Sequence, residues 1–269
     1  MTDRSYLFVP GNRPDRLLAA SRAGADVVLI DLEDAVAPID KAAARHAVTE
    51  WLADSRPAYL RINGADTEWF DEDLSLLTLP GLQGVMLAKS EEVATLAAVQ
   101  RAATRALPLI PLIESARGLW NVMALASAPG VVRLAFGAVD FQLDLSIDGE
   151  REELLMARSQ LVLASRLAGL PPPVDGVTMA LDDDEALSRD VAYARRLGFG
   201  GKLCVHPRQV AVINDGFLPT ATELEWAGRV VAAAAAAGDN ACRVDGKLVD
   251  RPVIDRARAI LRTADSKVR

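Results

Sequence analysis

Residues 107–140, with the sequence LPLIPLIESARGLWNVMALASAPGVVRLAFGAVD, decide the fold. Two apolar runs within them, residues 107–113 and 131–136, are typical of strands that are buried on both faces, and the segment between the runs is predicted to be a crossover helix. In a parallel sheet, this arrangement brings the carboxyl ends of both strands to the same edge. The acids that follow the two runs, Glu114 and Asp140, are therefore predicted to lie close together.

Two carboxylates in this position suit one hard divalent cation, because Mg²⁺ is typically held by one or two carboxylates together with water and substrate. Acids that follow a strand also commonly cap the next helix, and this alternative stays open for both residues. The pattern favours the metal site, since each acid comes after an apolar run of a predicted barrel, where active sites are found at the carboxyl ends of the strands.

The same alternation of strand and helix extends outward in both directions from this stretch. The further predicted strands are residues 5–9, 26–31, 58–62, 84–88, 172–177 and 201–205. Helical segments, such as residues 41–52, separate them. Eight strands with interleaved helices indicate an α/β protein with a parallel sheet, most simply a (β/α)₈ TIM barrel formed by residues 1–218.

Residues 219–269 have a different character and form a C-terminal extension of helices and a hairpin. Thr220 and Glu223 have the spacing of a capping box before a helix. Asp245 and Gly246 predict a tight turn between two short strands, and a last helix is predicted to start at Asp250. Because this segment is too small to be a stable domain, it is predicted to act as a lid that packs on a neighbouring subunit or on its own barrel.

Composition limits the classes of function. The chain has 269 residues, of which 51% are hydrophobic and 25% charged, which is ordinary for a soluble globular enzyme. The net charge of −7 gives no basic face for nucleic acid. No apolar run reaches the roughly 20 residues that span a membrane, and no signal peptide is recognisable, so a cytoplasmic protein is expected.

Charged residues at other strand ends complete the candidate site. Arg61 ends the third strand, and its planar guanidinium can bind a substrate carboxylate, or equally form a structural ion pair with Asp31 or Glu33. Asp31, Glu33 and Asp34 crowd the end of the second strand, where carboxylates repel unless a cation lies among them. Lys89 follows the fourth strand and is expected to balance these acids. The three acids and Lys89 are predicted to surround the metal- and substrate-binding residues without binding the metal themselves.

Eight motifs together carry a resemblance to a known family. They are RSYLFVPGNRP, DVVLIDLEDAV, YLRING, MLAK, LIESARG, FGAVDF, GKLCVHP and DGKLVDRP, in this order. Each motif is weak alone, but their order across nearly the whole chain resembles that of citrate lyase β-subunit-like proteins. This group belongs to the HpcH/HpaI-related malyl-CoA/citramalyl-CoA lyase superfamily of magnesium-dependent carbon–carbon lyases.

The resemblance implies a role for four residues. Glu114 and Asp140 would bind Mg²⁺, with Glu114 also facing the substrate, and Arg61 would bind a carboxylate or carbonyl oxygen of the substrate. Asp250 would be an acid/base residue delivered from a neighbouring subunit, whereas the residues alone predict only a helix cap at this position. A homotrimer or hexamer is the assembly that the resemblance implies.

The reaction expected from these residues is the cleavage or formation of a β-hydroxyacyl-CoA, such as citryl-, malyl- or citramalyl-CoA, through a thioester enolate. One alternative is an aldolase or lyase that acts on a free keto or hydroxy acid. Another is a non-catalytic subunit that binds an acyl carrier protein. Similarity of fold does not choose among these substrates.

Overall fold

Eight parallel strands close into a barrel in which each strand pairs with its neighbours in sequence and β8 pairs with β1. The computed structural model describes residues 3–238 and 240–265. The barrel strands are β1 (Ser5–Pro10), β2 (Val27–Asp31), β3 (Ala58–Ile62), β4 (Leu82–Leu87), β5 (Leu109–Ile113), β6 (Ala135–Phe136), β7 (Val174–Asp175) and β8 (Gly201–Cys204).

Helices connect the strands and surround the barrel. They are α1 (Pro14–Ala20), α2 (Lys41–Ala53), α3 (Phe70–Leu74), α4 (Val93–Ala102), α5 (Ala116–Trp120), α6 (Val122–Ala126), α7 (Ala138–Leu145), α8 (Leu155–Leu167), α9 (Asp184–Leu197) and α10 (Gln209–Gly216). The predicted (β/α)₈ barrel is thus confirmed. Among the described residues, no helix combines the length and the apolar character needed to cross a bilayer.

The interior of the barrel is filled by apolar side chains from all the strands except the third, which contributes the half-buried Tyr59 at the margin. The buried members of this cluster are Tyr6, Val27, Leu29, Met86, Ile110, Leu112, Ala135, Val174 and Leu203. Because the centre is packed with these groups, the barrel is a filled core and not an open channel.

Two strands are shorter than their apolar runs. β6 covers only Ala135–Phe136, and Val131 at the start of the run makes one isolated bridge to Leu109. β7 covers only Val174–Asp175. The predicted lengths were wrong because an apolar run reports burial, whereas a strand also requires continuous backbone pairing with both neighbours.

The crossover segment after β5 is also different from the single predicted helix. It consists of α5 and α6, which are separated by Asn121. The backbone of Asn121 has φ −92° and ψ 5°, outside the helical range, and its side-chain amide donates to the carbonyl of Glu91 at 2.8 Å. This side-chain bond to a neighbouring loop accounts for the break.

The described residues from Asp215 onward form a second compact unit. It contains α11 (Ala221–Ala236), the antiparallel pair β9 (Cys242–Val244) and β10 (Lys247–Val249), and α12 (Arg251–Asp265). Its buried core is made of Ala227, Val230, Ala234, Val249, Ile254 and Ala257. Thr220 and Glu223 form the predicted capping box, and the tight turn has positive φ at Asp245 and Gly246. That this unit acts as a lid stays a prediction.

Candidate active site

The predicted site residues of the barrel gather at the carboxyl ends of β2 to β5 and at the start of α7. These residues are Asp31, Glu33, Asp34, Arg61, Lys89, Glu114 and Asp140. Neighbouring strands set their spacing, since Asp31 lies directly opposite Arg61 in the register of β2 and β3.

Arg61 is buried, with 8% of its surface exposed, and it holds two carboxylates. Its Nε and Nη2 donate to the two oxygens of Asp31 at 2.7 and 2.6 Å, and Nη1 lies 2.8 Å from Oε2 of Glu33. The guanidinium also lies over the ring of Phe8, with Cζ 4.5 Å from the centroid. The structural ion pair is therefore present. Because a guanidinium has five N–H donors, one N–H on each terminal nitrogen is left for another acceptor.

Asp31 is saturated by hydrogen bonds. Besides Arg61, it accepts from the backbone amides of Glu33 at 2.8 Å and Ala35 at 3.1 Å. Its side chain is fully buried. With four donors on two oxygens, Asp31 orients Arg61 and shapes the turn after β2, and it has little capacity left for a metal ion.

Glu33 pairs with the same guanidinium as Asp31, but its negative charge is less well neutralised. Burial raises the pKa of Glu33 to about 7, because the favourable charge of Arg61 is offset by the nearby carboxylates of Asp34 and Asp31. The Glu33 carboxyl can therefore exchange a proton near neutral pH.

Glu114 follows β5 directly and is almost fully buried, with 3% of its surface exposed. Its Oε1 accepts from the backbone amide of Lys89 at 2.7 Å. Lys89 presents this amide from a left-handed conformation with φ +46°, which is uncommon for a residue other than glycine. Burial raises the pKa of Glu114 well above its usual range, and the charges of Glu33 and Asp140 act in the same direction against Arg61.

A glycine makes room for Glu114. A Cβ atom placed on Gly137 would lie 2.3 Å from Oε2 and 2.5 Å from Cβ of Glu114. Both distances are far shorter than a van der Waals contact. The absence of a side chain at Gly137 therefore allows the carboxylate to lie against the end of β6.

Asp140 lies in the first turn of α7 rather than directly at the end of a strand, and it is half-buried. Burial and the charge of Asp34 raise its pKa, while Lys89 and Arg61 lower it. Lys89 itself is exposed; burial lowers its pKa, but the surrounding carboxylates, Glu33 first, give a net upward shift. Each group thus feels the charge of the others, as expected for residues around one site.

The donor set fits Mg²⁺. Glu114 and Asp140 supply hard carboxylate oxygens. Burial first, and then the charge of a neighbouring carboxylate, raises the pKa of both groups, so a bound cation would stabilise their charged forms. In the described ranges, no three His, Cys, Asp or Glu side chains are grouped to enclose a metal ion by themselves. Mg²⁺ does not require such a group, because it keeps several waters and takes only one or two protein carboxylates.

A buried polar network that the sequence did not predict adjoins the site. Lys41, interpreted only as the start of α2, is buried and bonded to Asn63, which in turn is bonded to the buried Asp73. The one available signal was that a lysine in the first turn of a helix is unfavourable next to the helix dipole.

Asp250 lies in the second unit, immediately before α12, and is exposed. Its Oδ1 accepts from the amide of Val253 at 3.4 Å. This is the helix cap that the residues alone predict.

Three comparisons relate the chain to known proteins. The family model described as HpcH/HpaI aldolase/citrate lyase matches residues 4–207. The chain is 39% identical over 276 residues to a citrate lyase subunit beta-like protein of Deinococcus radiodurans, with 96% of both chains covered. It is 34% identical over 272 residues to a (3S)-malyl-CoA thioesterase of Cereibacter sphaeroides, covering 98% of this chain and 95% of that protein. The crystal structure of CitE from Mycobacterium tuberculosis in complex with magnesium, acetoacetate and coenzyme A matches with a TM-score of 0.87 and 33% identity over 98% of both chains.

Proposed function

The chain belongs to the HpcH/HpaI aldolase/citrate lyase family, and on that premise we propose that it is a Mg²⁺-dependent carbon–carbon lyase that cleaves or forms a β-hydroxyacyl-CoA of the malyl-, citramalyl- or citryl-CoA type. The observation that carries the proposal is that two carboxylates, Glu114 after β5 and Asp140 at the start of α7, lie close enough to interact with each other and with the guanidinium of Arg61. The magnesium and coenzyme A in the complex of the mycobacterial relative support it.

Glu114 and Asp140 are the residues that would hold the metal. Bound there, Mg²⁺ would act as a Lewis acid on substrate oxygen atoms. The amide of Lys89 donates to Oε1 of Glu114 and so fixes the orientation of the carboxylate that would hold the metal.

Arg61 is proposed to bind the carboxylate or carbonyl oxygen of the hydroxy-acid fragment. Asp31 and Phe8 hold the guanidinium in a fixed plane, and each terminal nitrogen keeps one N–H for the substrate. Because the guanidinium is fixed, these two N–H groups can donate hydrogen bonds to a substrate oxygen in a set direction.

Cleavage moves the hydroxyl proton to a base, breaks the carbon–carbon bond, and leaves the electron pair on the thioester enolate, which then takes up a proton. We assign the acid/base role to Asp250 of a neighbouring copy in a homotrimer or hexamer. The resemblance in the DGKLVDRP motif supports this assignment, as does the exposure of Asp250 at the start of α12.

The test is an assay of the purified protein on (3S)-malyl-CoA with and without Mg²⁺. We expect equal amounts of acetyl-CoA and glyoxylate, formed only with the metal. Glu114→Gln and Asp140→Asn should each lower kcat/KM by at least about 100-fold, because each removes one metal ligand. The matched control Asp148→Asn removes an exposed carboxylate just beyond α7 and should keep wild-type turnover. Unchanged turnover in Glu114→Gln would rule out the metal site.

Hydrolysis of the thioester is a second candidate, because one relative is named a (3S)-malyl-CoA thioesterase. The same assay separates the two reactions, since hydrolysis yields malate and free CoA without acetyl-CoA. Cleavage of free citramalate or malate without CoA would instead favour the free-acid aldolase. Inactivity on every CoA thioester, together with co-purification of an acyl carrier protein, would favour the non-catalytic subunit.

A further inference from the structure

Lys41 is a buried lysine whose three N–H donors all go to neutral oxygens. Its Nζ donates to the carbonyl of Leu32 at 2.6 Å, the carbonyl of Glu33 at 2.8 Å and Oδ1 of Asn63 at 2.8 Å. Only 4% of the residue is exposed, and Nζ lies 4.7 Å from the ring centroid of Trp69. Since an ammonium has three donors, none is left for a substrate.

The acceptors of Lys41 come from the two strand ends that carry the guanidinium and its partners. Leu32 and Glu33 follow β2 directly, and Asn63 follows β3, two residues after Arg61. The hydrogen bonds of Lys41 therefore join the turn after β2 to the end of β3.

Asn63 extends this hydrogen-bonded connection to Asp73. Its Nδ2 donates to the carbonyl of Leu32 at 3.0 Å and to Oδ2 of Asp73 at 2.6 Å. The same oxygen of Asp73 accepts from the backbone amide of Asn63 at 3.0 Å, and the other Asp73 oxygen pairs with Arg45. A buried network in which every donor and acceptor is satisfied holds its members in one geometry.

Glu33 depends on this network for its place beside Arg61. The backbone of Glu33 is held by Lys41 and by Asp31, and its side chain reaches Nη1 of Arg61. Without Lys41, the carbonyl of Leu32 would keep only the amide of Asn63 as a donor, and the carbonyl of Glu33 only the amide of Val36. The turn would then lose its two charge-assisted hydrogen bonds and be held less firmly.

We propose that Lys41 is a positioning residue for substrate binding, which fixes Glu33 and Arg61 so that the free N–H groups of the guanidinium point at the substrate carboxylate. This inference rests on the proposed function of Arg61. It predicts that Lys41 influences the carboxylate site and leaves the metal ligands, which come from β5 and α7, nearly unchanged.

The experiment compares wild type, Lys41→Met and Lys202→Met by calorimetric titration with Mg²⁺, and then with acetoacetate at saturating Mg²⁺. Lys202 is the control for loss of a buried ammonium elsewhere in the barrel, because only 2% of it is exposed and it lies on β8. Its Nζ donates to the carbonyl of Gly176 at 2.6 Å and lies 3.6 Å from Oδ2 of Asp175. Lys41→Met should weaken acetoacetate binding at least about tenfold and change the Mg²⁺ affinity less than about twofold. Lys202→Met should lower the melting temperature similarly while keeping wild-type acetoacetate affinity.

Equal losses for both ligands in Lys41→Met, or an unchanged acetoacetate affinity, would overturn the inference. If Lys41→Met does not fold, Asn63→Leu removes one acceptor of the ammonium and should shift the acetoacetate affinity in the same direction. If wild type binds no acetoacetate, the carboxylate site that we assign to Arg61 has failed, and malyl-CoA turnover decides the proposed function separately. Crystal structures then decide the positioning role, because Lys41→Met must separate Oε2 of Glu33 from Nη1 of Arg61, and an unchanged contact contradicts it.

Discussion

Glu114 and Gly137 show how single residues set the site. The carboxylate of Glu114 is buried against the backbone of Gly137, where a Cβ atom would come within 2.3 Å of Oε2. The φ of Gly137 is −92°, which any residue can adopt, so the requirement for glycine here is space and not backbone freedom. A methyl group at this position has to displace the proposed metal ligand.

Gly137→Ala should therefore weaken Mg²⁺ binding by at least about tenfold and destabilise the protein by about 1–3 kcal/mol through overpacking. Titration with Mg²⁺ and chemical denaturation measure the two effects. Gly228→Ala is the control, since a Cβ atom there meets nothing within 4 Å inside α11. That change should be neutral or stabilise the helix by up to about 1 kcal/mol. Wild-type Mg²⁺ affinity in Gly137→Ala would contradict the placement of Glu114.

Glu33 makes the stability of the metal-free protein depend on pH. Its pKa rises from 4.5 to about 7 on folding because of burial, so the folded state binds this proton more tightly than the unfolded chain. The contribution to the free energy of unfolding is therefore largest below about pH 4.5, falls as the pH rises towards 7, and is constant above. The fall is on the order of 3 kcal/mol.

Glu33→Gln removes this titration. Denaturant unfolding of both proteins in EDTA between pH 4.5 and 8 should show wild type losing stability relative to the variant as the pH rises. A constant difference across the range, or one that changes in the opposite direction, would contradict the raised pKa of Glu33.

The sequence predicted the positions and contacts of some of these residues and not those of others. Glu114 was found because it directly follows an apolar run, and the pairing of Arg61 with Asp31 and Glu33 was one of two alternatives that the residues left open. The bonds of Lys41 were not predicted, because they depend on how the turn after β2 folds back over α2, which no local pattern specifies.

At the scale of elements, periodicity predicted strands and helices well and their ends poorly. β5 matches its apolar run to within two residues, whereas β6 retains two residues of a six-residue run. Pairing with a neighbour determines where a strand begins, and that information is not local. Asp140 consequently belongs to α7, whose N-terminal turn favours an acid through the helix dipole.

The capping box of α11 was predicted correctly because its signal is local. Thr220 accepts from the amide of Glu223 at 3.2 Å, and Oε2 of Glu223 accepts from the amide of Thr220 at 2.8 Å. Thr220→Ala should cost about 1 kcal/mol of helix stability, measured by hydrogen exchange of the α11 amides. Ser188→Ala, which removes an exposed hydroxyl within α9, should change the exchange of its own helix by less than about 0.5 kcal/mol. Equal effects would argue against the cap.

At the scale of the whole molecule, an apolar barrel interior is combined with a charged rim. The barrel and its order of strands could be predicted because eight apolar runs alternate with helical segments, and the family motifs follow the same order. The residues alone predict the helix cap that Asp250 forms, whereas only the resemblance implies a role in a neighbouring site.

Complementation between two inactive variants tests the assembly that we propose. If Asp250 serves the site of a neighbouring copy, oligomers that mix Glu114→Gln and Asp250→Asn chains contain some sites with both native residues. Co-expressed variants should then exceed the (3S)-malyl-CoA cleavage of either parent by at least about tenfold. Activity that stays at the level of the parents would exclude a contribution of Asp250 between subunits.

The position of a divalent ion in crystals of the wild-type protein grown with Mn²⁺ tests the central claim most directly, because anomalous scattering identifies the ion. We expect one strong peak at roughly 2.1 Å from a carboxylate oxygen of both Glu114 and Asp140. A peak bound by other side chains, or no peak at these two residues in saturating Mn²⁺, would contradict it.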